Sequence, residues 1–126
     1  MKQIDPVEIL LVEDNPADVE MALRALKKHN LTNLVKVVSD GAQALDYLFG
    51  GGVFAGERNH PPPKVVFLHL KLPKVDGREV LRRMKAAPKT KLIPVVVLTS
   101  SKEESDIAES YKLGVNSYVV KPLDFD

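Results

Sequence analysis

Four groups of polar side chains follow apolar runs in this chain, and they are where chemistry could reside. Glu13-Asp14 follows VEILLV, His69 ends VVFLH, Thr99-Ser100-Ser101 follows VVVL, and Lys121-Pro122 follows SYVV. Two carboxylates, a hydroxyl and an ammonium gathered at one place are what a phosphoryl-transfer or divalent-metal site requires. Hard oxygens hold Mg2+, and Lys and Thr hold phosphoryl oxygens. Taken singly, each group has a plainer reading. An acidic pair after a strand is most often solvated loop and helix-capping chemistry. A Thr at a strand end is usually a turn residue, and Lys-Pro is usually a turn. The joint pattern is more specific, provided the preceding runs are parallel strands that end at one rim.

The rest of the sequence supplies such strands. Val7–Val12, Leu34–Val38, Val65–Leu70, Val95–Thr99 and Ser117–Val120 are each of strand length, and most are β-branched or continuously apolar. That is expected of strands covered on both faces. Helical patterns lie between them. Asn15 is a cap with Pro16 in the first helical position, and Val19, Ala22, Leu23 and Leu26 then share one face. Asp40 caps a second helix carrying Ala44, Leu45 and Leu48. A third runs from about Arg78 to Ala86 with Val80, Leu81 and Met84 on one side, and Pro88 helps end it. A fourth opens with the capping box of Ser101 and Glu104 and carries Ile107, Ala108 and Tyr111, with Gly114 as its stop. Alternating strands and helices predict βαβ units, and the handedness of their crossovers puts helices on both faces of a doubly wound parallel sheet. A site is then expected at the carboxyl ends of the strands.

Two features break the regularity. Gly50–Lys64, GGGVFAGERNHPPPK, exceeds an ordinary connection, and its glycines and prolines suit an exposed excursion. The sequence also ends four residues after Pro122, where a fifth helix would otherwise follow. The expectation is a single domain over residues 1–126 that is C-terminally truncated and is marginal, dimeric through the face left uncovered, or completed by another polypeptide.

Composition narrows the function further. With 126 residues the prior is one domain. The 44% hydrophobic and 28% charged residues are those of a globular chain. Eighteen basic residues nearly balance seventeen acidic ones, so no net field favours nucleic acid or membrane. Cysteine is absent, which removes disulfides, thiolate catalysis and cysteine-ligated metal centres. No apolar run approaches a membrane span, and the MKQIDPVEILLVEDN start does not read as a signal peptide. A cytoplasmic protein is expected.

The motifs ILLVEDN, LKLPKVDG, VVVLTSS and SYVVKP, with 30 residues from position 69 to Thr99 and 22 from Thr99 to Lys121, resemble those of response-regulator receiver domains of two-component signalling. The resemblance covers Val7 to Phe125. DYLF, DGREVL and the long loop resemble the subgroup that pairs with phytochrome kinases. The resemblance implies a flavodoxin-like α/β fold with a five-stranded parallel sheet of order 2-1-3-4-5. It implies that Glu13, Asp14 and the Lys71 backbone carbonyl are metal ligands for Mg2+. It implies that Thr99 and Lys121 contact the phosphoryl group, that Thr99 and Tyr118 form the switch, and that the bond before Pro122 is cis. It further implies that Asp76-Gly77 is the turn that launches the third helix. The implied partners are a sensor histidine kinase of phytochrome type and a second copy of the chain, through the fourth helix and fifth strand, about Lys102–Val120.

One position departs from the family pattern. The family's phosphoacceptor is an aspartate at the end of the third strand, and here that position is His69. Imidazole cannot form an acyl phosphate, so aspartyl phosphorylation is expected to be disabled and Mg2+ binding weak. His69 then has three readings. It is a core histidine bonded to an acidic neighbour, or an imidazolium whose charge partly replaces the metal's. Otherwise it is a ligand, with Glu13 and Asp14, for a transition metal. His29 and His60 read as surface residues. The alternative from the enzyme class is a small metal-dependent phosphatase or phosphotransfer enzyme on a related fold. It lacks a nucleophilic aspartate in the natural place. A flavin or nucleotide carrier is disfavoured because EDNPAD puts negative charge where a phosphate cradle needs free N–H groups.

Overall fold

The computed structural model describes residues 9–28, 35–50, 62–99, 111–112, 114–115 and 117–120, the last four and residue 99 by backbone alone. Strands β1 (Ile9–Val12), β2 (Val35–Val38), β3 (Val65–His69), β4 (Val95–Thr99) and β5 (Ser117–Val120) form one sheet in the order β2-β1-β3-β4-β5. All four neighbouring pairs are parallel. Helices α1 (Pro16–Lys27), α2 (Gly41–Phe49) and α3 (Gly77–Ala86) connect them. The expected fourth helix falls mostly outside the described residues. Tyr111 and Lys112 are helical, and Gly114 follows with φ +94°, its N–H donating to the Tyr111 carbonyl at 3.1 Å. His29, His60, most of the long loop and residues 121–126 also lie outside the described residues.

Side-chain alternation along the strands builds two cores, one on each face of the sheet. Leu10, Val12, Val66, Leu68, Val95 and Val97 point one way and pack with Ala44, Leu45 and Leu48 of α2 and Val80, Leu81 and Met84 of α3. Leu11 and Leu98 point the other way and bury Ala22 of α1 with them. Val19, Leu23, Val35, Val37 and Phe67 are only partly buried against that second cluster. Each fully buried leucine contributes about 1.5–3 kcal/mol relative to an exposed one, so among the described residues the α2/α3 face carries most of the hydrophobic stabilisation.

The helix starts follow local rules. The Asn15 side chain accepts from the Ala17 and Asp18 N–H groups at 2.9 and 3.3 Å. Asp40 accepts from Gln43 N–H at 2.7 Å, and Asp76 from Arg78 N–H at 2.8 Å. Helix α3 therefore begins at Gly77, one residue before the sequence pattern places it. Its last turn is held by the buried Thr90 hydroxyl, which donates to the Met84 carbonyl at 2.7 Å.

On the exposed side of α3, Glu79 accepts from both Arg82 and Arg83. These two guanidinium groups hold its carboxyl down at about 2. The folded value lies below the ordinary one. The stabilisation is therefore complete above the ordinary carboxylate value and is lost as the pH falls from about 4.5 through about 2. The pair is solvent-facing, so salt screens it. A carbon-detected NMR titration should place the Glu79 midpoint well below that of an unpaired glutamate at low salt, and molar salt should raise it. An ordinary, salt-independent midpoint would contradict this arrangement.

Candidate functional site

The carboxyl end of β3, at the centre of the sheet, sets the position of the candidate site. Val12 pairs with Leu68 and His69 with Leu98, so β1, β3 and β4 all end at one rim. Leu68 is fully buried in the larger core. Alternation turns His69, the next residue, to the opposite side, where it meets the residues that follow β1.

Glu13 extends β1 by one more sheet bond, its N–H donating to the Val38 carbonyl at 3.1 Å. Its side chain is only 1% exposed. A carboxylate so deeply placed needs compensating donors. The Asn15 N–H is one, at 3.3 Å from Glu13 Oε1. Asp14 faces solvent, with 38% of its side chain exposed. The His69 ring lies between the two carboxylates and is 15% exposed. Its Nδ1 is 3.3 Å from the Leu98 carbonyl oxygen and 3.6 Å from Glu13 Oε2. Its Nε2 is 4.0 Å from Asp14 Oδ1. Of these three distances, the one to Leu98 has hydrogen-bond length, and the two to the carboxylates are electrostatic approaches. One ligand atom can be taken from each of Glu13, Asp14 and His69 such that all three lie within 4.8 Å of one another.

The loop after β3 is pinned at both ends. Gly77 N–H donates to the Leu70 carbonyl at 2.7 Å, and Gly41 N–H donates to the Pro73 carbonyl at 3.4 Å. Lys74, with φ +67°, sets its ammonium 3.6 Å from the buried Asp40 carboxylate. The loop that carries Lys71, which is exposed, is thereby tied to the start of α2.

The structure brings together three of the residues singled out in the sequence: Glu13, Asp14 and His69. Thr99 closes β4 opposite Val120, and Tyr118 pairs with Val97, so β5 ends at the same rim. The side chains of Thr99 and Tyr118, and all of Lys121 and Pro122, are outside the described residues. The residue missed by sequence reasoning is Leu98, whose backbone carbonyl fixes the imidazole. A main-chain contact between registered strands leaves no signal in residue type.

Comparison with known proteins agrees with this geometry. The family model for the response regulator receiver domain matches residues 9–126. The probable methanogenesis regulatory protein FilR2 of Methanothrix harundinacea is 44% identical over 125 residues, 97% of this chain and 76% of that protein. Response regulator Rcp1 of Synechocystis is 43% identical, over 92% of this chain and 77% of its own length. The Mn2+-bound structure of Rcp1 superposes with a TM-score of 0.83 at 42% identity, covering 95% of this chain and 84% of that one. The bacteriophytochrome response regulator RtBRR superposes with a TM-score of 0.86 at 54% identity, covering 96% of this chain and 72% of that one. With phytochrome-associated regulators among its close homologues, this chain belongs to the response-regulator receiver domains of two-component signalling.

Proposed function

We propose that this receiver acts through contacts with protein partners and that His69 disables its aspartyl phosphorylation. The observation behind the reading is the imidazole at the end of β3, between Glu13 and Asp14. A receiver carboxylate there would take a phosphoryl group as an acyl phosphate, and a ring nitrogen cannot. Receiver domains bind Mg2+ or Mn2+, and Rcp1 has a Mn2+-bound form. The donors around position 69 do not fit Mg2+, because a nitrogen stands where that ion calls for oxygen.

Incubation with acetyl phosphate and Mg2+ tests the reading. Mass spectrometry should find no hydroxylamine-sensitive phosphate on the chain. A stoichiometric label of that kind would overturn it.

The kinase side of the proposal follows the relatives: a sensor histidine kinase, of phytochrome type by likeness to RtBRR and Rcp1. No helix among the described residues is long and apolar enough to cross a membrane. The second proposed partner is another copy of the chain, joined through residues of about 102–120. Sedimentation should show self-association at high concentration, and a strict monomer there would count against it.

A further inference from the structure

We propose that Glu13, Asp14 and His69 form a binding site for a borderline transition metal of the Zn2+ class in place of the family's hard cation. The proposal rests on the reading of position 69 given above. Two carboxylates alone would not distinguish one divalent ion from another, and the nitrogen donor does. Imidazole suits zinc, copper, nickel and iron, whereas Mg2+ prefers oxygen and near-ideal octahedral geometry.

The ring is also oriented as a metal-binding histidine should be. Such histidines almost always donate the second ring N–H to a carbonyl or carboxylate, which fixes the tautomer. Here Nδ1 lies at 3.3 Å from the Leu98 carbonyl oxygen, with Glu13 Oε2 behind it at 3.6 Å. With Nδ1–H donating to Leu98, the lone pair sits on Nε2, the nitrogen that faces Asp14 Oδ1 at 4.0 Å. Zinc bonds to nitrogen and oxygen are about 2.0–2.2 Å, so two ligands on one ion stand at most about 4.4 Å apart. One donor atom from each of the three residues lies within 4.8 Å of the others, and Asp14 Oδ1, at 4.0 Å from Nε2, is already close enough to share an ion with it. A small turn of the ring toward the Glu13 carboxylate, now 3.6 Å from Nδ1, would close the third pair. Glu13 is held rigidly in the buried floor, and the solvent-facing Asp14 side leaves room for water to complete the coordination shell.

Zn2+ alone is the probe, titrated against a chromophoric chelator with no phosphodonor present. One Zn2+ should bind per chain, and a large excess of Mg2+ should not displace it. Loss of even an outer hydrogen-bond partner typically weakens a metal site about 10–100-fold, so His69→Gln should weaken Zn2+ by at least about tenfold. Asp14→Asn, which removes an exposed carboxylate and leaves the core intact, should weaken it too. Co2+ should give a ligand-field spectrum that His69→Gln abolishes. The double variant His29→Gln/His60→Gln should bind as the parent does.

Unchanged Zn2+ affinity in His69→Gln, loss of binding in the His29/His60 double variant, or ready displacement by Mg2+ would each overturn the site. Failure of the functional reading looks different. A parent chain that takes up acyl phosphate in Mg2+ yet binds Zn2+ through His69 would refute the disabled acceptor and leave the metal site standing.

Discussion

His69→Asp should yield a chain that is labelled to near stoichiometry by acetyl phosphate, where the proposed function expects no label on the parent. The substitution returns a carboxylate to the end of β3, in register with Leu98 of β4 and beside the residues that follow β1. An aspartate oxygen then attacks phosphorus, the bond from phosphorus to the acetate oxygen breaks, and acetate leaves. Nothing else in the described part of the site has to be rebuilt. Glu13 is already buried and anchored through Asn15 N–H, and Asp14 already lies on the solvent side. The aspartate side chain is shorter than the imidazole, whose nitrogens now stand 3.6 and 4.0 Å from the two carboxylates, so it opens space there for a cation. The cation is needed electrostatically. Three carboxylates and an incoming phosphoryl group repel one another at close range unless a divalent ion lies among them. The labelling should therefore require Mg2+ and fall when Asp14→Asn is added. A phosphate-affinity gel with hydroxylamine treatment reads the result. A folded His69→Asp chain that remains unlabelled would show that the loss of chemistry does not lie at this position, and would remove the basis of the proposed function.

How much of this was legible in the sequence differs between elements for physical reasons. The strands were readable because parallel strands covered on both faces are continuous apolar runs. Val95–Thr99 and Ser117–Val120 match the observed bounds. The apolar run of the third strand extends one residue beyond the strand itself, which ends at His69. Leu70 is apolar and buried, but its carbonyl accepts from Leu72 and Gly77 N–H groups in a turn and not from a neighbouring strand. Helix starts were legible at Asn15 and Asp40 because a short oxygen-bearing side chain has one dominant use before an apolar periodic segment. The meeting of Glu13, Asp14 and His69 was legible from topology alone, since parallel strands must end on one side. The anchoring of the imidazole was not, because it depends on the Leu98 carbonyl. Nor was the tie between Lys74 and Asp40, which joins two loops far apart in sequence through a non-glycine residue at positive φ. The roles of Thr99, Lys121 and Tyr118 in phosphoryl contact and switching are expectations that rest on the family pattern.

The same loop makes Gly77→Ala the most instructive stability test. Gly77 opens α3, and at a helical position alanine ordinarily stabilises relative to glycine, by roughly 0.4–1 kcal/mol through the unfolded chain. The surroundings reverse that sign. A Cβ at Gly77 would lie 2.5 Å from the His69 carbonyl oxygen and 2.7 Å from both Leu70 Cα and the Leu70 carbonyl oxygen. All three are backbone atoms, which cannot swing aside as a side-chain end does. Relieving the clash means parting α3 from the end of β3 and stretching the 2.7 Å bond from Gly77 N–H to Leu70. Overpacking of this kind costs about 1–3 kcal/mol and a lost internal hydrogen bond about 1 kcal/mol more. Gly77→Ala should therefore destabilise by roughly 2–4 kcal/mol, a large share of a typical 5–15 kcal/mol. Gly41→Ala should be at least as severe, because its Cβ would meet the Val75 carbonyl oxygen at 1.8 Å. Gly114→Ala supplies the contrast: the nearest atoms its Cβ would meet among the described residues belong to the flexible Lys85 side chain, from 3.3 Å, and it is strained mainly by its φ of +94°. Urea denaturation should rank the three with Gly114→Ala the mildest. The functional consequence separates the two severe variants. Gly77→Ala presses on the carbonyl of residue 69 itself, so in a His69→Asp background it should lower labelling even in the fraction that stays folded. Gly41→Ala acts on Val75, further along the loop, and should cost stability first. A Gly77→Ala chain as stable as its parent would mean that the end of β3 yields easily, and that the placing of residue 69 does not depend on the close seating of α3.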